Sequence, residues 1–133
     1  MIQDFPFTGV GMGTYVRVAN LLYPFVWYAG SDPVHAHNLL LQVALDLGIP
    51  GLIAWLAIWI LITLITWQLY QRGRVLHNDW IRGLGAGFLS SQIALISHGM
   101  WDATTWGICK PSPLVWVIWG LSMASWYVTS RQK

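Results

Sequence analysis

Charged residues are scarce in this chain, and cysteine is almost absent. Only 9% of the 133 residues are charged and 56% are hydrophobic, whereas a typical soluble domain carries about 25% charged residues. The single cysteine, Cys109, allows no intrachain disulfide and fits no metal-ligand spacing. The net charge of +2 is too small and too scattered to favour nucleic-acid binding. These shortages argue against a disulfide-stapled domain or a nucleic-acid-binding domain, and they favour a membrane protein.

The beginning of the chain lacks a further feature, the basic start and apolar centre of a signal peptide. Insertion into a membrane would therefore depend on later helices, or the chain is a piece of a longer protein. We expect the second, with upstream transmembrane helices missing from this sequence.

Three apolar stretches predict membrane-spanning helices over about 49–70, 83–97 and 114–128. The first is long enough to cross about 30 Å of hydrocarbon. The second carries Gly83, Gly87 and Ser91 at four-residue spacing, which predicts a face for close helix packing. The predicted fold class is all-α: a polytopic membrane protein fragment with three transmembrane helices and one interfacial amphipathic helix outside the cytoplasm.

The interfacial helix is predicted over about 33–47, because Asp32 followed by Pro33 is typical of a helix start. Such a helix would place four polar residues on one stripe: His35, Asn38, Gln42 and Asp46. His35 would then face solvent or lipid headgroups, and His37 would face the protein. The Gly48-Ile49-Pro50-Gly51 sequence predicts a break before the first span.

Basic residues predict the orientation. Five of them lie in the 71–82 loop and the C-terminal tail: Arg72, Arg74, Arg82, Arg131 and Lys133. By the positive-inside rule these regions are cytoplasmic. We therefore divide the chain into an extracytoplasmic loop (1–48), a transmembrane part (49–129) and a cytoplasmic tail (130–133). Five polar residues would share the outer face: Arg17, His35, His37, His98 and Asp102.

Three motifs in this order resemble the O-antigen ligase family of bacterial membrane proteins. The most specific is His37-Asn38, then nine residues, then Gly48-Ile49-Pro50-Gly51. The others are the 4–13 loop (DFPFTGVGMG) and the later His98–Asp102 segment with Lys110-Pro111. Family members are typically much longer, so the chain resembles only their C-terminal part.

The resemblance implies transfer of a glycan from a polyprenyl-diphosphate carrier to a hydroxyl on a glycan, lipid or protein acceptor. This reaction would be a ligase or polymerase step at the extracytoplasmic face of the bacterial inner membrane. Besides the donor and acceptor, the partners would be membrane lipids. No cofactor and no metal are expected, and no nucleic acid.

His37 is the position that matches the functional histidine of the family. A base is needed when a hydroxyl attacks an anomeric carbon, and histidine titrates near neutral pH; the alternative is a histidine packed at a helix start. Asn38 would orient His37 or a sugar hydroxyl, or else cap the helix. His35 would contact headgroups or substrate.

Arg17 and the His98–Asp102 pair complete the predicted substrate-binding residues. Arg17 would bind a diphosphate or simply lie at the membrane interface. His98 and Asp102 would share a helix face four residues apart and bind substrate, or only anchor a loop.

Two other functions compete with glycan transfer. A transporter component, for example for inorganic carbon, would use the polar residues Ser90, Ser91 and Gln92 to line a path. A non-catalytic remnant would only pack its helices within a larger complex.

Overall fold

The structure is a computed structural model that describes residues 1–23, 35–103, 105–107 and 112–131. Every regular element in those residues is an α-helix, which confirms the all-α prediction. The helices are α1 (Tyr15–Leu22), α2 (Leu39–Val75), α3 (Asp79–Gly99) and α4 (Ser112–Arg131). Helix α2 packs against both α3 and α4. The predicted helix start at Asp32-Pro33 and the motif residues Lys110-Pro111 lie outside the described residues.

A break at Gly48 divides α2 into a short first part and a long second part. Gly48 has φ 73° and ψ 178°, so the two parts are not one continuous helix. The first part begins at Leu39 rather than near residue 33, because His37 has φ 49° and Asn38 is extended. The predicted helix over 33–47 is therefore wrong in its first turn, and residues 35–38 form a bend before the helix.

The N-terminal loop forms backbone hydrogen bonds with residues on both sides of this break. The amides of Val10 and Gly11 donate to the carbonyls of Leu45 and Asp46. The amide of Ile49 donates to Pro6 O at 2.8 Å. Helix ends leave such groups without partners inside the helix. The loop supplies those partners and thereby holds the two parts of α2 at a fixed angle.

A tight turn joins α2 to α3. His77 has a left-handed backbone conformation with φ 50°. The His77 amide donates to Arg74 O and the Asn78 amide donates to Gly73 O, which is the bonding pattern of a Schellman motif. Asn78 then caps α3, since its Oδ1 accepts from the amides of Trp80 and Ile81. The turn sends α3 back along α2, so the end of α3 lies beside the beginning of α2.

Glycines allow close approach of α2 and α3, but not the glycines that the spacing predicts. A Cβ on Gly85 would lie 2.6 Å from Tyr70 Cα, and one on Gly73 would lie 2.3 Å from Arg82 N. Gly83 and Gly87 would meet nothing within 4 Å. Gly83 and Gly87 therefore do not pack against α2, because α3 turns its other side toward it, and packing of the Gly83, Gly87 and Ser91 face against another helix stays a prediction.

The core is built largely from tryptophans where α2 meets α4. Trp55, Trp59 and Trp119 are buried, and the Trp59 and Trp119 rings meet edge to face at 5.5 Å. Such aromatic pairs contribute stabilising free energy beyond that of burying their apolar area. The rings hold α4 against the long part of α2.

A buried polar group links α2 and α3 near their middle. Gln92 Nε2 donates to Thr66 Oγ1 at 3.1 Å, and Thr63 Oγ1 donates to Gln92 Oε1 at 2.8 Å. Interhelical hydrogen bonds of this kind fix how two apolar helices are aligned.

Among the described residues, one helix is long and apolar enough to cross a membrane, and it is α2. Only 22% of its most apolar window is buried, and large side chains such as Ile60, Leu61 and Leu64 are exposed. An exposed apolar face of this length is unfavourable in water and suits contact with lipid. The predicted spans 83–97 and 114–128 lie within α3 and α4, and the count of three spans stays a prediction.

Candidate functional site

The start of α2 and the segment after α3 meet at one end of the helices. Three contacts join them: Asn38 Nδ2 donates to Met100 O at 3.2 Å, His35 Nε2 lies 3.2 Å from Asp102 Oδ1, and Trp106 Nε1 donates to Asp46 Oδ2 at 2.8 Å. Arg72 and Ser130, which mark the ends of α2 and α4, are bonded to each other. The polar residues after α3 and before α2 therefore share one end of the molecule.

Two histidines and an aspartate form the exposed centre of this end. The rings of His35 and His37 lie 4.3 Å apart, and the His37 amide donates to His35 Nδ1 at 3.1 Å. Asp102 is half-buried, and its Oδ1 also accepts from the amide of Ala103. We call His35, His37 and Asp102 the histidine–aspartate cluster; one donor atom from each lies within 4.8 Å of the others.

Asn38 has a structural task at this site. Its Oδ1 accepts from the Leu41 amide at 3.0 Å and caps α2, while its Nδ2 holds the Met100 carbonyl. The capping alternative thus describes the geometry of Asn38. Because one side chain both starts α2 and anchors residues 100–102, it sets the distance between His35 and Asp102.

Asp46 is a buried carboxylate whose hydrogen bonds connect α2 to the segment after α3. It is 3% exposed, and its carboxylate accepts from Gln42 Nε2 at 3.0 Å and from Trp106 Nε1. Gln42 in turn accepts from the amide of Ala36. Of the predicted polar stripe, only Gln42 and Asp46 lie on one helix, and they face the protein instead of solvent, whereas Leu41 is 50% exposed. The hydrogen bonds of these buried groups explain the inward orientation.

The sequence places Asp46 on a polar stripe with Gln42, but it does not predict the burial of Asp46 or its bond to Trp106. The pair Gln42 and Asp46, four residues apart within an otherwise apolar run, indicates a shared helix face but not which other segment covers it. Two side chains at that spacing lie on the same helix face and can bond to each other.

Replacing Asp46 with alanine is expected to loosen the segment at 100–107. The indole of Trp106 and the amide of Gln42 would lose their acceptor, which costs roughly 1–3 kcal/mol for each buried donor. Thermal unfolding in detergent micelles measures this loss. Asp79→Ala is the matched control, because Asp79 is exposed and, within the described part of the chain, its ion pair is the surface pair with Arg82. Equal stability of the two variants would contradict the role of Asp46.

The predicted pairing of His98 with Asp102 is wrong. The side chain of Asp102 turns to His35 and to the amide of Ala103, and His98 is exposed at the end of α3. His98 instead supplies its carbonyl to the amides of Trp101 and Asp102. The expectation that His35 faces solvent and His37 faces the protein is also reversed, since His37 is the exposed one of the two.

Arg17 lies exposed on α1. No hydrogen bond or ion pair within the described ranges joins it to the histidine–aspartate cluster. The predicted substrate-binding role of Arg17 stays a prediction.

The family model for O-antigen ligase matches residues 1–56 of the chain. This match confirms the resemblance to O-antigen ligases. It includes His35, His37, Asn38 and the Gly48–Gly51 break, and it ends before α3. Searches of curated proteins and of solved structures give no significant match.

The structure explains most of the O-antigen ligase motif by packing. Asn38 caps α2, and Gly48 holds a backbone conformation that is essentially restricted to glycine. A Cβ on Gly51 would lie 2.2 Å from Leu47 Cβ, because the break brings these residues together. His37 is different: it is exposed, its φ is left-handed, and its side chain makes no hydrogen bond within the described residues. Packing therefore accounts for every motif position just named except His37.

Proposed function

We propose that this protein transfers a glycan from a polyprenyl-diphosphate carrier to a hydroxyl acceptor at the extracytoplasmic face of the bacterial inner membrane. The observation that carries this proposal is the state of His37. This residue of the O-antigen ligase match is exposed, has a left-handed backbone conformation, and its side chain makes no hydrogen bond among the described residues. Non-glycine residues in such conformations cluster at functional sites.

The chemistry assigned to His37 is that of a general base. Its imidazole accepts the proton of the acceptor hydroxyl while the hydroxyl oxygen attacks the anomeric carbon of the donor glycan. The bond from that carbon to the diphosphate breaks, and polyprenyl diphosphate leaves with the bonding electrons. The proton then passes from His37 to water. His35, Asn38, His98 and Asp102 surround the acceptor in this proposal, and Arg17 binds the diphosphate.

The membrane arrangement is part of the proposal. The exposed apolar face of α2 contacts lipid, and α3 and α4 complete three spans together with neighbouring helices of a longer parent protein. Residues 35–38 and 98–107 then lie outside the cytoplasm, and the α2–α3 turn and the end of α4 lie inside. The arginines at the turn and at the end of α4 support this orientation.

Transport is less well supported, because the polar groups near the middle of α2 and α3 bond to each other. Gln92 is buried and bonded to Thr63 and Thr66, and Ser91 bonds to Gly87 O. A solute path needs such groups free to bind the solute.

A reconstituted assay tests the proposed function. The protein, expressed from its complete reading frame, is placed in vesicles with a synthetic polyprenyl-diphosphate oligosaccharide and candidate acceptors. We expect glycan to appear on an acceptor with release of one polyprenyl diphosphate per transfer. Solute uptake into the same vesicles without such release would instead support the transporter.

A further inference from the structure

We propose that the histidine–aspartate cluster is a binding site for a divalent transition-metal ion, with Zn²⁺ the best match. Three donors of the types that zinc prefers, two imidazoles and one carboxylate, come together from two segments more than 60 residues apart in sequence. Three protein ligands leave an open coordination position for water or another ligand. The sequence analysis expects no metal at this site, and the proposal replaces that expectation.

The donors are close to a metal-binding geometry. One donor atom from each residue lies within 4.8 Å of the others, and His35 Nε2 is already 3.2 Å from Asp102 Oδ1. In a tetrahedral site with bonds near 2.0–2.1 Å, two ligand atoms are about 3.3 Å apart. His37 needs to move closer, and its ring is exposed and makes no side-chain hydrogen bond in the described residues.

Neighbouring contacts hold this geometry in place before any metal binds. Asn38 fixes residues 35–38 to the Met100 carbonyl, and the Ala103 amide orients the Asp102 carboxylate. Supporting bonds of this kind are typical of metal sites, where they orient the ligands. Two segments that merely touched by chance would not need a side chain that both caps α2 and bonds to the other segment.

Metal binding changes the proton position on His35. Because Nδ1 of His35 accepts from the His37 amide, the proton of the neutral ring lies on Nε2 and points at Asp102. A metal bound to Nε2 moves this proton to Nδ1, and the bond from the His37 amide is lost. That change releases His37 from its position over His35 and lets its ring turn toward the ion.

Zinc binding would also affect the proposed glycan transfer, and this step rests on the proposed role of His37 as the base. A nitrogen bound to a metal ion has no lone pair left to accept a proton. Zinc occupancy and glycan transfer then exclude each other, so zinc would act as a reversible inhibitor of the reaction.

Cobalt titration tests the metal site itself. The complete protein, purified with a tag that lacks histidine and treated with EDTA, is titrated with Co²⁺, and the visible absorption bands of four- or five-coordinate Co²⁺ are recorded. We expect such bands, their displacement by Zn²⁺, and at least about tenfold weaker binding for His35→Ala, His37→Gln and Asp102→Asn. His77→Ala and His98→Ala should bind like the wild type.

Several outcomes would overturn the site. Absence of the cobalt bands, or wild-type affinity in His37→Gln, would do so; His37→Gln is decisive because His37 is exposed and its replacement leaves the fold intact. Equal weakening in His98→Ala would reject this set of ligands. Thermal unfolding without metal verifies that each variant is folded.

The transfer assay separates this inference from the proposed function. Saturating Zn²⁺ should abolish transfer, and EDTA should restore it; full transfer at saturating Zn²⁺ would reject His37 as a ligand. If the protein shows no transfer at all, the proposed function fails while the cobalt titration still decides the metal site.

Discussion

Replacing Gly48 with alanine is expected to destabilise the protein by at least about 3 kcal/mol. Two costs combine. The φ of 73° with ψ of 178° is a backbone conformation that is essentially limited to glycine. In other residues it costs about 1–3 kcal/mol of conformational free energy. The new Cβ would also lie 2.6 Å from the backbone of Phe7.

The second cost spreads to the N-terminal loop. The amides of Val10, Gly11 and Ile49 take part in the bonds that close the break, and each such bond contributes about 0.5–1.5 kcal/mol. Moving Phe7 away from an alanine at position 48 pulls on all three. We therefore expect the loop to detach first, and limited proteolysis should cut within residues 1–13 before the helices unfold.

Gly120→Ala is the matched control for this variant. Gly120 lies in the exposed face of α4, and a Cβ there would meet nothing within 4 Å. Alanine is the better helix former, so stability should stay the same or rise by up to about 1 kcal/mol. Thermal unfolding followed by near-ultraviolet circular dichroism measures both variants. A Gly48→Ala protein as stable as Gly120→Ala would show that the break does not need glycine.

Replacing His37 with alanine is expected to lower glycan transfer about 100- to 10,000-fold, the usual loss when a general base is removed. The fold should be unaffected, because the side chain of His37 is exposed and contacts mainly the ring of His35. The measurement is the initial rate of glycan transfer in vesicles at equal amounts of folded protein.

His77→Ala provides an unusually close control for this variant. His77 is also an exposed histidine in a left-handed conformation, with φ 50° against 49° for His37, but it lies at the opposite end of the α2–α3 pair. Its replacement should leave the rate unchanged. Equal rates for His37→Ala and the wild type would reject the proposed base.

His37→Gly adds a test that separates function from structure. Glycine adopts a positive φ without the steric cost that other residues pay, about 1–2 kcal/mol. The variant should therefore be more stable than the wild type and yet inactive. A residue kept only for packing would show the reverse.

The sequence by itself determined the class of this protein. Low charge and long apolar runs predict apolar helices, and every regular element in the described residues is a helix. Three motifs in order, of which the His37-Asn38 spacing to Gly48 is the most specific, identified the O-antigen ligase resemblance, and the family model confirms it over residues 1–56. Both conclusions rest on the order and spacing of residues along the chain, which can be read from the sequence without knowledge of the fold.

Tertiary contacts decided which side each polar residue faces. Periodicity correctly grouped Gln42 with Asp46 but placed them in solvent, because it could not show that Trp106, 60 residues later, would supply a buried donor. The same limit led to pairing Asp102 with His98 instead of His35. Spacing along one helix predicts which residues share a face, whereas the partner of that face comes from another segment. Only the packed structure brought His35, His37 and Asp102 together.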